Sequence, residues 1–103
     1  MKEHGGLPHD LDDFDCICKK DGKRIAVGGH AKTHMISFKI NAETLCDMIQ
    51  NPIPCNSPRG KPHRPKARRV CAYRKGRKYN IILDPMILND EECWVVSNME
   101  PLK

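Results

Sequence analysis

RRVCAYRKGRKYNIILDPMILNDEECWVVSN, residues 68–98, is the stretch that decides the fold. Its first part alternates. Val70 and Ala72 fall on one side, and Arg69, Cys71 and Tyr73 on the other, as a strand with one buried face requires. Gly76 permits a tight turn. Residues 78–84 (KYNIILD) are rich in β-formers, and residues 92–98 (ECWVVSN) carry the single tryptophan, Trp94. Strands at 68–75, 78–84 and 92–98, joined by short links, predict an antiparallel meander. The link DPMILNDE is longer and offers Met86, Ile87 and Leu88 for packing over a sheet edge.

Upstream, residues 14–28 read FDCICKKDGKRIAVG, two short apolar runs about Asp21-Gly22. That dipeptide suits a type I′ hairpin turn. After Gly28-Gly29, His30, Ala31, Met35 and Phe38 are spaced to line a helix. The helix is expected to be short, because Ile36, Phe38 and Ile40 then alternate like an extended segment. Asn41 is a good N-cap for a second helix over residues 42–50, whose Leu45, Met48 and Ile49 form one apolar stripe. Asn51-Pro52 ends it. Residues 51–67 hold five of the chain's eight prolines, Pro52, Pro54, Pro58, Pro62 and Pro65, mixed with basic residues. This reads as a long, mobile, basic loop. The order β-β-α-α-β-β-β predicts an α+β fold: a small antiparallel sheet with two short helices packed on one side. Residues 1–12 read as a flexible acidic arm, and residues 13–103 as one domain.

A chain of 103 residues buries one core and leaves little room for an enclosed cavity, so activity is expected on an open face. No apolar run is long enough to cross a membrane as a helix. The net charge of +5 is unevenly placed. Glu3, Asp10, Asp12, Asp13 and Asp15 crowd the start, and Asp90, Glu91 and Glu92 come late. Between residues 59 and 78 lie ten basic residues and no acid: Arg59, Lys61, Arg64, Lys66, Arg68, Arg69, Arg74, Lys75, Arg77 and Lys78. Such a block attracts polyanions, and the arginine fork suits phosphate.

The six cysteines are Cys16, Cys18, Cys46, Cys55, Cys71 and Cys93. MKEHGGLPHD has no apolar stretch to serve as a secretory leader, so a cytoplasmic setting is expected, where thiols stay reduced. Cys46, Cys71 and Cys93 sit inside apolar patterns and read as small buried side chains. Disulfides, or zinc held by His30, His34, Cys16 and Cys18, are the alternatives.

At this point the order of elements resembles the RelE/BrnT-like toxin superfamily and a related family of small bacterial and archaeal proteins. The resemblance runs over about residues 29–100. It is carried by His30-Ala31 with Met35, the hydrophobic helix ending at Asn51-Pro52, the arginine-bearing loop, and the strand pattern Val95-Val96-Ser97. It implies an RNA-cleaving toxin neutralised by an antitoxin protein. The toxins often carry Arg, His or Tyr near the end of the last strand. Here that region is Ser97-Asn98-Met99-Glu100, a departure that points to weakened or absent nuclease activity.

Metal-independent RNA cleavage uses the substrate's own 2′-hydroxyl and asks the protein for proton transfer and phosphate stabilisation. Histidine and arginine suit these tasks. His30 and His34, at i and i+4, share a helix face. Arg69, Tyr73 and Arg77 come from the first meander strand and its turn, with Tyr73 available to stack on a base. His30, His34, Arg69, Tyr73 and Arg77 are therefore the candidate catalytic set. Arg59, Lys61, Arg64, Lys66, Arg68, Arg74, Lys75 and Lys78 are the candidate nucleic-acid contacts. His63 reads most simply as a solvated loop residue. No cofactor is expected. The expected partners are RNA, including ribosome-bound mRNA, and an acidic antitoxin. The rival readings are a non-catalytic nucleic-acid-binding or mobile-element regulatory protein, which would bind RNA without cutting it, and a small zinc module, which metal analysis would reveal.

Overall fold

The alternation of residues 68–98 becomes three long antiparallel strands. A computed structural model describes residues 18–56, 58–88 and 90–102. The acidic arm at 1–12 and the start of the hairpin lie outside the described residues. The elements are β1 (Lys19–Lys20), β2 (Lys23–Val27), α1 (Gly29–Phe38), α2 (Ala42–Gln50), β3 (Arg68–Arg74), β4 (Arg77–Leu88) and β5 (Glu91–Pro101). They form one five-stranded sheet in the order β1-β2-β5-β4-β3. The α+β class holds, but the sheet is mixed rather than antiparallel. β2 runs parallel to β5, Ile25 opposite Trp94 and Val27 opposite Val96. The chain between them passes through both helices, which bring β3 in parallel to β2, and then through the β3–β4 and β4–β5 hairpins, so β2 and β5 run in the same direction.

Both hairpin turns follow their local chemistry. Asp21 and Gly22 take φ of 56° and 77°, and Lys75 and Gly76 take 52° and 76°. Two consecutive positive φ values are the type I′ geometry that matches strand twist. The link DPMILNDE does not pack over an edge; it extends β4 and β5, with Leu88 opposite Glu91. One irregularity matters for the site. Ile82 faces Asn98 while Leu83 faces Val96, so Ser97 is the extra residue of a β-bulge.

The helices cover one face. Ala31 and Met35 from α1, and Leu45, Met48 and Ile49 from α2, share a core with Val27, Val70, Ile81, Leu83, Val96 and Met99. The first helix is longer than the alternation of Ile36, Phe38 and Ile40 suggested. It continues to Phe38 and stops at Lys39 in the left-handed conformation, where the Lys39 and Ile40 amides bond the Ile36 and Met35 carbonyls. Ile36 stays exposed, while Ile40 is buried just beyond the helix. Pattern alone could not show that one apolar position is wasted on solvent.

The second helix matches its expected bounds. The Asn41 side chain accepts the Thr44 amide at 2.7 Å. Asn41→Ala should cost about 1 kcal/mol of stability in a urea melt.

Among the described residues four cysteines pair, as Cys18–Cys46 and Cys55–Cys71. The expectation of reduced thiols at Cys18, Cys46, Cys55 and Cys71 is thereby corrected. Their positions lie 28 and 16 residues apart, separations that only the folded chain closes. Among the described residues, no helix is long and apolar enough to cross a membrane.

Candidate nucleic-acid interface

The sheet face opposite the helices carries Arg69, Cys71 and Tyr73 from β3, Lys78, Asn80, Ile82 and Asp84 from β4, and Asn98 and Glu100 from β5. Cross-strand register sets them in rows: Tyr73 with Lys78, Cys71 with Asn80 and Glu100, Arg69 with Ile82 and Asn98. The proline-rich segment folds back across this face. Five contacts among its described residues hold it there. Ile53 pairs with Cys71 as an isolated bridge, and Cys55 is bonded to Cys71. The Asn80 amide donates to the Gly60 carbonyl at 2.9 Å. Arg69 donates to the Asn80 side-chain oxygen at 2.6 Å and to the Arg59 carbonyl. Arg64 makes a two-pronged pair with Asp84, both bonds 2.6 Å.

Asn80 is the centre of this arrangement. It is 1% exposed and is the buried polar residue of the described core. A buried amide must be satisfied, and here Arg69 and Gly60 do so. Gly60 has φ of +87°, and a Cβ on it would fall 2.6 Å from the Asn80 amide nitrogen. Gly60→Ala should therefore destabilise the protein by about 1–3 kcal/mol through backbone strain, read as a lower urea midpoint. An unchanged midpoint would mean that the loop does not seat on Asn80.

Between the anchored loop, the bulged end of β5 and the start of α1 lies an open cleft of about 740 Å³. His30, Lys61, His63, Arg64, Asn98 and Glu100 line it. Parallel pairing ends where Gly28 N–H bonds the Val96 carbonyl, so from Ser97 onward no strand among the described residues covers this edge of β5. α1 lies along that edge. His34 Nδ1–H donates to the Met99 carbonyl at 2.6 Å, supplying the partner an edge carbonyl needs. The His34 ring also meets Phe38 edge-on at 6.1 Å, and Phe38 meets Tyr79 at 6.0 Å. His30 sits one turn earlier, its ring centroid 4.5 Å from that of His34, and is exposed to the cleft. The hydrogen bond to Asp84 and the charge of its carboxylate raise the Arg64 guanidinium above its already high ordinary value, so it stays cationic.

No protein-family model matches the chain, and neither a curated protein nor a solved structure matches it.

The basic block of the sequence is thus divided among five places. Lys61 and Arg64 line the cleft with His30. Arg74, Lys75, Arg77 and Lys78 surround the β3–β4 turn, beside Tyr73. Lys66 lies toward the other end of the face, near Met86 and Ile87. Arg68 points to the helix side, its guanidinium 5.5 Å from the Trp94 ring centre and 3.9 Å from Asp21. Trp94 is flanked by Lys23 at 5.2 Å as well. Arg59 lies in the anchored loop and lends its carbonyl to Arg69.

Of the candidate catalytic residues, His30 and His34 are adjacent. Arg69 is engaged in holding the loop. Arg77 sits five residues further along the hairpin from Arg69's level, about 17 Å away. Cys18, bonded to Cys46, is removed from a zinc set with His30 and His34. Among the described residues, no three His, Cys, Asp or Glu side chains are grouped to hold a metal ion.

His63, Asn98 and Asn80 are site residues that sequence reasoning passed over. Asn80 had a signal: a polar, β-disfavoured residue inside the apolar run YNIIL. His63 had none, because its place in the lining of the cleft depends on where the loop is pinned.

Proposed function

We propose that this protein binds RNA on the basic sheet face and cleaves it without a metal in the cleft at His30. It would act as a toxin held in check by an acidic antitoxin protein. The observation that carries the reading is that His30, His63 and Lys61 line one open cleft. Two imidazoles and a cation are what cleavage through the 2′-hydroxyl needs. One imidazole accepts the proton as the 2′-oxygen attacks phosphorus. The bond to the 5′-oxygen breaks, and the other, protonated imidazole donates to that leaving oxygen. The products are a 2′,3′-cyclic phosphate and a 5′-hydroxyl. Lys61 stabilises the added phosphate charge. Arg64, already paired with Asp84, contributes less. His34 touches no substrate in this scheme and positions His30 by packing beneath it.

The test is incubation with mRNA in EDTA, with and without ribosomes, comparing wild type with His30→Ala. Cutting that persists in EDTA and disappears in the variant supports the reading. Binding at protein excess without any cut favours the second reading, a non-catalytic nucleic-acid-binding regulator. One observation leans that way: Arg69, the strand arginine expected at the scissile phosphate, is bonded into the loop. Either reading requires log K to fall with log salt, by about 0.7 per single-strand phosphate neutralised. A cytoplasmic setting further requires both disulfides to survive the thiol pool. Thiol counting on acid-quenched protein measures this.

A further inference from the structure

Aromatic side chains are scarce in this chain: one Trp, two Tyr and two Phe. Trp94 and Tyr79 are buried, and Phe38 is half-buried in the core. Tyr73 is different, 58% exposed on the open sheet face. It stands directly across from Lys78, and the turn residue Lys75 follows two positions later. Alternation keeps Tyr73 on the same face as Cys71 and Arg69, the two residues that pin the loop. Along β4, Lys78 lies two residues, about 7 Å, from Asn80, which lines the cleft. Asn98 lies one further row along and one strand over, about 14 Å from Lys78. A strand of RNA leaving the cleft would thus reach Tyr73 within a few nucleotides.

From this placement we infer that Tyr73 and Lys78 form a base-stacking subsite that selects single-stranded RNA and sets which segment enters the cleft. This rests on the reading of the cleft as an RNA site. A tyrosine ring offers a base a flat partner whatever its sequence, and a neighbouring lysine holds the adjoining phosphate. In a duplex the bases are already stacked on one another and present no face to the ring. The strand is therefore the substrate class this geometry favours. Arg74 and Arg77 alternate onto the other side of the hairpin tip and take no part in the subsite.

The test is equilibrium anisotropy with a labelled twelve-nucleotide RNA, single-stranded and as a blunt duplex, for wild type, Tyr73→Ala and Tyr73→Phe. Loss of stacking on one base should weaken single-strand binding about 5- to 150-fold in Tyr73→Ala. Tyr73→Phe should keep wild-type affinity, and duplex binding should be the same in all three. A change below twofold in Tyr73→Ala overturns the subsite. So does an equal loss for the duplex, which would mark a structural or purely electrostatic role. No single-strand binding by wild type also overturns it and makes Tyr73 a candidate protein contact. Cleavage is scored separately with His30→Ala. If wild type cuts nothing yet Tyr73→Ala loses single-strand affinity, the cleavage reading falls and the subsite stands.

Discussion

His30→Ala should slow RNA cleavage by about 10²- to 10⁴-fold, the range for losing one positioned proton-transfer group. The fold should be unharmed, because the His30 side chain is exposed. His63→Ala should show a loss of the same order if the two imidazoles act as acid and base. The two losses should be far from additive, since either change alone stops the same step. His34→Ala separates positioning from chemistry. It removes the bond to the Met99 carbonyl and the packing under His30, so it should lower both stability and cleavage. The measurement is single-turnover cleavage at saturating protein, with affinity determined alongside. Equal cleavage by His30→Ala and wild type would remove the cleft from the mechanism.

Opening the two disulfides should cost about 3 kcal/mol each, from the chain entropy released in the unfolded state by loops of 28 and 16 residues' separation. A domain of this size holds about 5–15 kcal/mol in total, so reducing both brings it close to unfolding at ambient temperature. Urea melts with and without a phosphine reductant check this, and an unmoved midpoint would contradict it. The paired serine variants should separate two effects. Cys18→Ser with Cys46→Ser frees the β1–β2 edge from α2 and should lower the midpoint while leaving RNA affinity intact. Cys55→Ser with Cys71→Ser loosens the segment that carries Lys61 and His63. The Asn80–Gly60, Arg69–Arg59 and Arg64–Asp84 contacts remain, so the cleft should weaken rather than vanish.

Much of the fold is legible because it is local. Asp21-Gly22 and Lys75-Gly76 dictate their own turn geometry, Asn41 its own cap, and the stripe of Leu45, Met48 and Ile49 its own buried face. The split of Val70 and Ala72 from Arg69, Cys71 and Tyr73 is a consequence of strand period, and the sheet keeps it. The parallel pairing of β2 with β5 was not legible. It is a contact between distant segments, and Arg24 to Val27 carries no mark of which strand lies beside it. The length of α1 was not legible for a related reason. Exposed Ile36 and buried Ile40 look alike in a pattern, and only the position of β5 tells them apart.

The site shows the same division more sharply. Composition and spacing alone establish a block of ten positive charges, a pair of histidines one helical turn apart and an open rather than enclosed surface. Those properties follow from residue type and short-range geometry. Tertiary structure alone decides how the charges are used. Arg69 holds a loop, Arg68 turns to Trp94, Arg64 meets Asp84, and His63 is carried to the cleft of His30. The reason is that a long side chain on a sheet binds whatever the next layer sets above it. Here that layer is a proline-rich segment, whose path is set by Asn80, Gly60 and a disulfide that no local pattern announces.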